Sequence, residues 1–300
     1  MSFRWRVHHL EQSDLRLTLL PGIGGRLWDV SFQGNSLLFQ NPDLDGLALE
    51  GTQPSDLPTR SPQFGFPLWG GEKTWIAPDT SWANGAPFPA LDSGSYHITS
   101  MSGSQIVMAS SICPISQLSV SRRVTLTSHN SWTIEHNATN HGTRPRPTGI
   151  WSVIMLDAPS MIGVVTGKPE FNTVFGEPNG IVTSSKTSVI ANCARLQEFK
   201  IGVPNPNGTS LIRCGEAGPW MSCSVSPPEQ GDQFAHQYPF EIFNSGDYAY
   251  CEAEWHSPTR HLESGETMSF HQAFRVWAND EILRTPSTQS DYEELLSCMS

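Results

Sequence analysis

Charge is scarce in this chain. Asp, Glu, Lys and Arg make up 16 % of its 300 residues, against about a quarter in an ordinary globular domain. Positive charge is scarcer still: Lys and Arg number 18 against 29 Asp and Glu, for a formal net charge of −11. No basic run interrupts that deficit, which argues against a nucleic-acid partner, since polyanion binding needs a basic footprint. No apolar run approaches the roughly 20 residues of a membrane-spanning helix. The opening residues, MSFRWRVHHLEQ, contain no apolar segment of a secretory signal. The expectation is a cytoplasmic protein with no membrane partner. None of the six cysteines, at 113, 193, 214, 223, 251 and 298, stands in a CxxC pair. A zinc ribbon is therefore not expected, and reduced thiols are. Helical periodicity is nearly absent too, with only DYEELLSCM near the end helix-like.

What replaces charge and helix is turn chemistry and short apolar runs. There are 25 Gly and 23 Pro, with 37 % hydrophobic and 10 % aromatic residues, enough apolar side chain for a packed core. LRLTLLPGIGGRLWDVSFQGNSLLF reads as three strands joined by turns, and YHITS, QIVMASSI, LSVSRRVTLTS, SWTIEHNATN, TGIWSVIML, SVIAN, EFKIGV, TSLIRC, PWMSCSVS, PFEIFNSGDYAYCEAEW and TMSFHQAFRVW continue the series. Some fifteen such strands imply an all-β sandwich or barrel, here a single domain over 1–300. Asn41 to Asp92 breaks the pattern. It is rich in Pro, Gly and Trp, and is expected to be a long functional loop without strands.

Three stretches carry candidate chemistry. WGGEKTWIAPDTSW (69–82) holds Trp69, Trp75 and Trp82, whose indoles can pack on sugar C–H faces, and Glu72 and Lys73, which can bond hydroxyls. The competing reading is a set of tryptophans plugging the end of the fold. Gly70 and Gly71 suit a close backbone approach. In LPGIGGRLWDV the glycines lack a following helix, so the stretch reads as a tight β-turn and not a dinucleotide site. Arg26, just after it, is either a pocket donor or a structural arginine. In EHNATNHG, His136 reads as a satisfied or exposed histidine rather than a catalytic one, and His141 as an exposed one at a hairpin tip. YCEAEWHSP (250–258) is the third stretch. As a strand it puts Tyr250, Glu252, Glu254 and His256 on one face and Cys251, Ala253 and Trp255 on the other. Two neighbouring carboxylates can raise one pKa into the range useful for general acid–base work. A merely salt-bridged strand face is the alternative. No HxH or HExxH accompanies these residues, so no metal or other cofactor is expected.

LTLLPGIGGRLWDVSFQGNSLLFQNP, VTLTSHNSWTIEHNATNHGTRPRPTGIW and CEAEWHSPTRHLESGETMSFHQAFRVW together resemble the galactose mutarotase-like superfamily, whose best-known members are aldose 1-epimerases. GGEKTWIAPDTSW with CEAEWHSP is similar to a separate branch of it rather than to the true mutarotases. The resemblance implies a β-supersandwich of large twisted antiparallel sheets with a small-molecule carbohydrate as partner. It implies an epimerase-like isomerase whose base is a glutamate on the near-final strand, Glu252 or Glu254, with Glu254 preferred. The histidines that serve such enzymes as acid fall at Trp69 and Trp151 here. Lys73, His236 and His256 are the candidate substitutes; Arg26, Trp151 and His236 join Trp69, Glu72, Trp75 and Trp82 as candidate sugar contacts. Without a substitute acid, the same fold would bind sugar and leave it unchanged.

Overall fold

The computed structural model describes residues 5–47, 66–82, 85–168, 170–185, 187–216, 218–278 and 294–296. Two large antiparallel sheets, of 11 and 10 strands, account for nearly all regular structure among them. In the first sheet the spatial order is His8–Gln12, Leu15–Leu20, Arg26–Phe32, Glu72–Ala77, Arg146–Asp157, Tyr250–His256, Phe240–Asn244, Phe199–Val203 and Asn172–Gly176. The short strands Asn35–Ser36 and Arg260–Leu262 attach to its side. The second runs Val182–Ser184, Ser188–Cys193, Ser160–Val165, Thr209–Cys214, Trp220–Ser224, Thr267–Trp277, Ser131–Asn140, Leu118–Ser128, Gln105–Ser110, Tyr96–Met101.

The sheets hold together through a shared apolar layer, because each strand offers alternate side chains to it. Ile76, Ile154, Ala253 and Phe240 come from the first sheet; Val124, Ile134 and Phe274 come from the second. Trp255 packs edge-on against Phe274 across the interface, with ring centroids 5.9 Å apart. Cys251 lies in this layer, as core filler, and the five cysteines among the described residues are buried free thiols. The hairpin of Leu118–Ser128 and Ser131–Asn140 alternates buried with less buried positions as its sequence does. His141 sits exposed just past its end.

The segment 41–92 departs from the expectation of a strandless loop. EKTWIA forms the strand Glu72–Ala77 in the middle of the first sheet, antiparallel to Arg146–Asp157. All six of its residues are buried. A strand covered on both faces shows no apolar–polar alternation, which is why its sequence does not announce it. Residues 48–65 of the segment, including Phe64, lie outside the described residues. So does most of DYEELLSCM, of which residues 294–296 are helical.

Gly70 and Gly71 lead the chain into this strand, and the close approach they permit is to backbone. Gly70 has φ +109° and an added Cβ would lie 2.3 Å from the Phe39 carbonyl oxygen; Gly71 has φ +72° and its Cβ would meet the Leu27 oxygen at 2.6 Å. Gly70→Ala is expected to lose at least ~2 kcal/mol, from left-handed backbone plus a clash with main chain that cannot give way. The midpoint of urea unfolding measures it, and an unchanged midpoint would contradict this account of the turn.

Candidate active site

The register of the first sheet sets out a grid of side chains on its outer face. Trp75, Trp151 and His256 stand abreast on three adjacent strands. One row along, Lys73, Val153, Glu254 and Glu241 are abreast. In the next row come Met155, Glu252, Phe243 and Lys200. Three carboxylates thus occupy the middle of the grid and a lysine reaches in from each side. Lys73 Nζ donates to Glu252 Oε1 at 2.9 Å. Lys200 Nζ donates to Glu254 Oε2 at 2.8 Å and lies 3.0 Å from Glu241 Oε2. Diagonal neighbours on a sheet lie within reach of long side chains, and lysine is long enough to use that geometry.

Aromatic rings roof the charges. Trp151 donates its indole N–H to Glu254 Oε2 at 2.7 Å and lies under the Lys200 ammonium, 4.5 Å from its ring. Trp82 stacks on Trp151 at 5.5 Å and 12°, and Trp75 meets it edge-on at 4.9 Å. His256 stacks beside Trp151 at 5.1 Å. His256 Nε2 and His236 Nδ1 each lie 3.0 Å from Glu241 Oε2, and the far nitrogen of His236 is 3.4 Å from Asp79.

A cavity of about 420 Å³ opens over this grid. Trp75, Trp82, Trp151 and Phe66 wall one part of it, and Phe175, Phe243 and Tyr250 another. Glu252, Lys200, His236, Gln237 and Asp79 supply its polar lining. Such a lining, mostly apolar with a few placed polar groups, is typical of small-molecule sites. A second depression, of about 490 Å³ beside Trp5 and Tyr96, has no carboxylate in its lining.

Burial and pairing set the charges. Burial pushes the Glu254 carboxyl up to about 7, against the pull of Lys200 and with help from Glu252 and Glu241. Glu241 is equally buried, but Lys200 and the two imidazoles outweigh that and hold it well below the usual carboxylate range. Burial opposes a proton on His236, yet its bonds to Asp79 and Glu241 prevail and lift it to about 9. His256 and Lys73 are both lowered, chiefly by burial, which their carboxylate partners only partly offset.

The structure thus brings together Glu252, Glu254, His256, Lys73, Trp75, Trp82, Trp151 and His236, on one face. Within that set, Glu252 reaches the cavity whereas Glu254 is fully buried behind Trp151 and Lys200. Of the two candidate bases it is Glu252, and not the preferred Glu254, that lines the cavity. Three other expected contacts point elsewhere. Glu72 is one residue from Lys73 and so faces the opposite way, between the sheets. There it pairs with Arg122 and accepts from Ser152. Trp69 is packed with Leu20, Trp28 and Leu44, and its N–H goes to Ser93 Oγ. Arg26 is buried against Asp92 at 2.7 Å and the Gly70 carbonyl. Its influence on the cavity is indirect, because Asp92 Oδ1 also accepts the Trp75 indole N–H at 2.7 Å.

His136 is a satisfied histidine of the inter-sheet layer. Its Nε2 meets Gln272 Oε1 and its Nδ1 meets Thr74 Oγ1, each at 2.8 Å. Ser152 also donates to that Gln272 oxygen, so the amide oxygen is the acceptor and His136 carries its proton on Nε2. Burial holds its pKa well below the usual value.

Lys200, Glu241, Asp79 and Asp92 are site residues that the sequence reading passed over. Lys200 and Glu241 did leave a trace, as single charges inside the apolar runs EFKIGV and PFEIFN. A lone charge in a buried strand needs a buried partner.

The two-sheet architecture is the fold of galactose mutarotase-like β-supersandwiches. Solved structures carry that conclusion. The Slr1438 protein of Synechocystis sp. PCC 6803 superposes with a TM-score of 0.61 at 14 % identity, over 92 % of this chain and 96 % of its own. A galactose mutarotase related enzyme of Lactobacillus acidophilus gives 0.58 at 6 % identity, over 91 % and 98 %. A galactose mutarotase-like protein of Lactobacillus casei gives 0.57 at 9 %, over 91 % and 100 %. No family model and no curated sequence matches the chain. Among the described residues no helix is long and apolar enough to cross a membrane.

Proposed function

We propose that this chain binds a carbohydrate in the cavity walled by Trp75, Trp82 and Trp151 and acts on it as an epimerase-like isomerase, with Glu252 as general base. The observation that carries the reading is the placement of a carboxylate at the wall of an indole-lined cavity, with its oxygen held by Lys73 at 2.9 Å. Indole faces suit the C–H faces of a pyranose, and Glu252, Lys200 and His236 offer hydrogen-bond partners for its hydroxyls. A base on the anomeric hydroxyl opens the ring when an electrophile meets the ring oxygen; reclosure gives the other anomer.

Trp151 favours a second reading. It stands where the resemblance places an acid histidine, and its N–H is spent on Glu254. A protein that binds sugar without isomerising it needs only the aromatic walls. Two measurements on the wild type separate the readings. Tryptophan fluorescence titrated with a panel of aldoses is expected to change saturably for at least one sugar, since three indoles line the cavity. NMR then follows equilibration of that sugar's pure anomer. A rate above buffer background supports the isomerase, a background rate with binding supports the second reading, and silence across the panel removes both.

A further inference from the structure

Glu241, Glu254 and Asp79 are joined through Lys200 and His236, and the Glu252–Lys73 pair lies beside them. Four carboxylates thus face two ammoniums, and the donors converge on Glu241. Its Oε2 receives Lys200, His236 and His256, all at 3.0 Å, while Oε1 is buried without a hydrogen-bond partner. One oxygen is crowded by three donors and its twin is unused.

We propose that His236, Glu241 and His256 form a binding site for a divalent transition-metal ion. Two imidazoles and one carboxylate are a donor set suited to zinc, cobalt or iron. Their ligand atoms all lie within 4.8 Å of one another. A tetrahedral zinc site separates its donors by roughly 3.3 Å, so two of the separations are already close and the third needs a shift on the order of an ångström. The outer nitrogen of His236 faces Asp79 at 3.4 Å. A carboxylate behind a ligating imidazole fixes its orientation and raises its basicity. Lys200 is the group that opposes a cation here. It has a second partner in Glu254 at 2.8 Å, so its ammonium stays paired when Glu241 turns to a metal.

The site is not sealed. Glu241 and His256 are buried, whereas His236 borders the cavity. An open coordination position on that side would meet a ligand oxygen, giving the electrophile that Trp69 and Trp151 cannot supply. That role rests on the proposed sugar reading; the metal site does not.

Cobalt tests it without any sugar. Protein stripped with EDTA and titrated with Co²⁺ is expected to develop a visible absorption band that saturates at one equivalent and is bleached by Zn²⁺. His236→Gln and His256→Gln should each weaken the ion at least tenfold, and Asp79→Asn, at an exposed position, severalfold. Melting curves report whether each variant is folded, and Asp79→Asn guards against loss of the buried ones. Absence of the band in wild type overturns the proposal, as does a band of equal affinity in wild type and all folded variants. A silent cobalt titration leaves the sugar titration untouched, and a silent sugar panel leaves the metal site standing.

Discussion

Glu252→Gln is expected to slow anomer equilibration by 10²- to 10⁴-fold, the range a positioned general base contributes. Glu254→Gln should cost far less. The two residues are on one strand face, and the register puts them one alternation apart; what separates them is cover. Trp151 and Lys200 both bond Glu254 Oε2, so no ligand reaches it, while Glu252 lines the cavity. A glutamine at 254 can still accept the Trp151 N–H, and Lys200 keeps Glu241 as partner. Neutralising Glu252 has a structural cost of its own, because Lys73 is left buried without a counter-charge. Urea unfolding of both variants therefore accompanies the kinetics. Binding should survive in Glu252→Gln, since the aromatic walls are unaltered, so the loss should fall on turnover and not on the fluorescence response. Equal rates in the two variants, or a Glu252→Gln enzyme as fast as wild type, would remove Glu252 from the chemistry.

Much of this face could be read in advance from one strand. Alternation alone divides Tyr250–His256 into a polar set and a core set, and Cys251, Ala253 and Trp255 do enter the inter-sheet layer. The same rule misleads where nothing marks the start of a strand. Glu72–Ala77 shows no apolar–polar alternation, so its sequence does not mark the opposite directions of Glu72 and Lys73. Once the strand is recognised, parity settles them: Lys73, abreast of Val153, shares the outer face, and Glu72 cannot. Trp69 precedes the strand, and two glycines with positive φ turn it away from the cavity. The partners of Glu254 come from residues 151 and 200, far along the chain. Only the order of strands in the sheet brings Arg146–Asp157 and Phe199–Val203 to the sides of the Tyr250–His256 and Phe240–Asn244 pair. Local pattern holds strand parity; it does not hold strand order.

Glu72 is the residue whose reassignment has the largest measurable consequence. It and Arg122 are both fully buried, one from each sheet, and Arg122 also donates to the Gly25 carbonyl at 2.6 Å. Ser152 Oγ lies 3.1 Å from Glu72 Oε1 and 2.8 Å from Gln272 Oε1, and its one proton is shared between them, which links the pair to His136. Neither charge has access to water, so removing one leaves the other without compensation. Arg122→Met is expected to destabilise the protein by about 3–5 kcal/mol, and Glu72→Gln somewhat less, because a neutral amide can still accept from Arg122. The double variant Glu72→Leu/Arg122→Met removes both charges and should recover much of the loss, since an apolar pair of similar volume avoids the desolvation cost. Chemical unfolding of the double variant with the singles Arg122→Met and Glu72→Leu closes the cycle and gives the coupling. Sugar-induced fluorescence should be unchanged in folded Glu72→Gln, because its side chain faces the second sheet. If that variant keeps its fold and its stability but loses the response, Glu72 belongs to the cavity after all, and the parity assignment of Glu72–Ala77 is wrong.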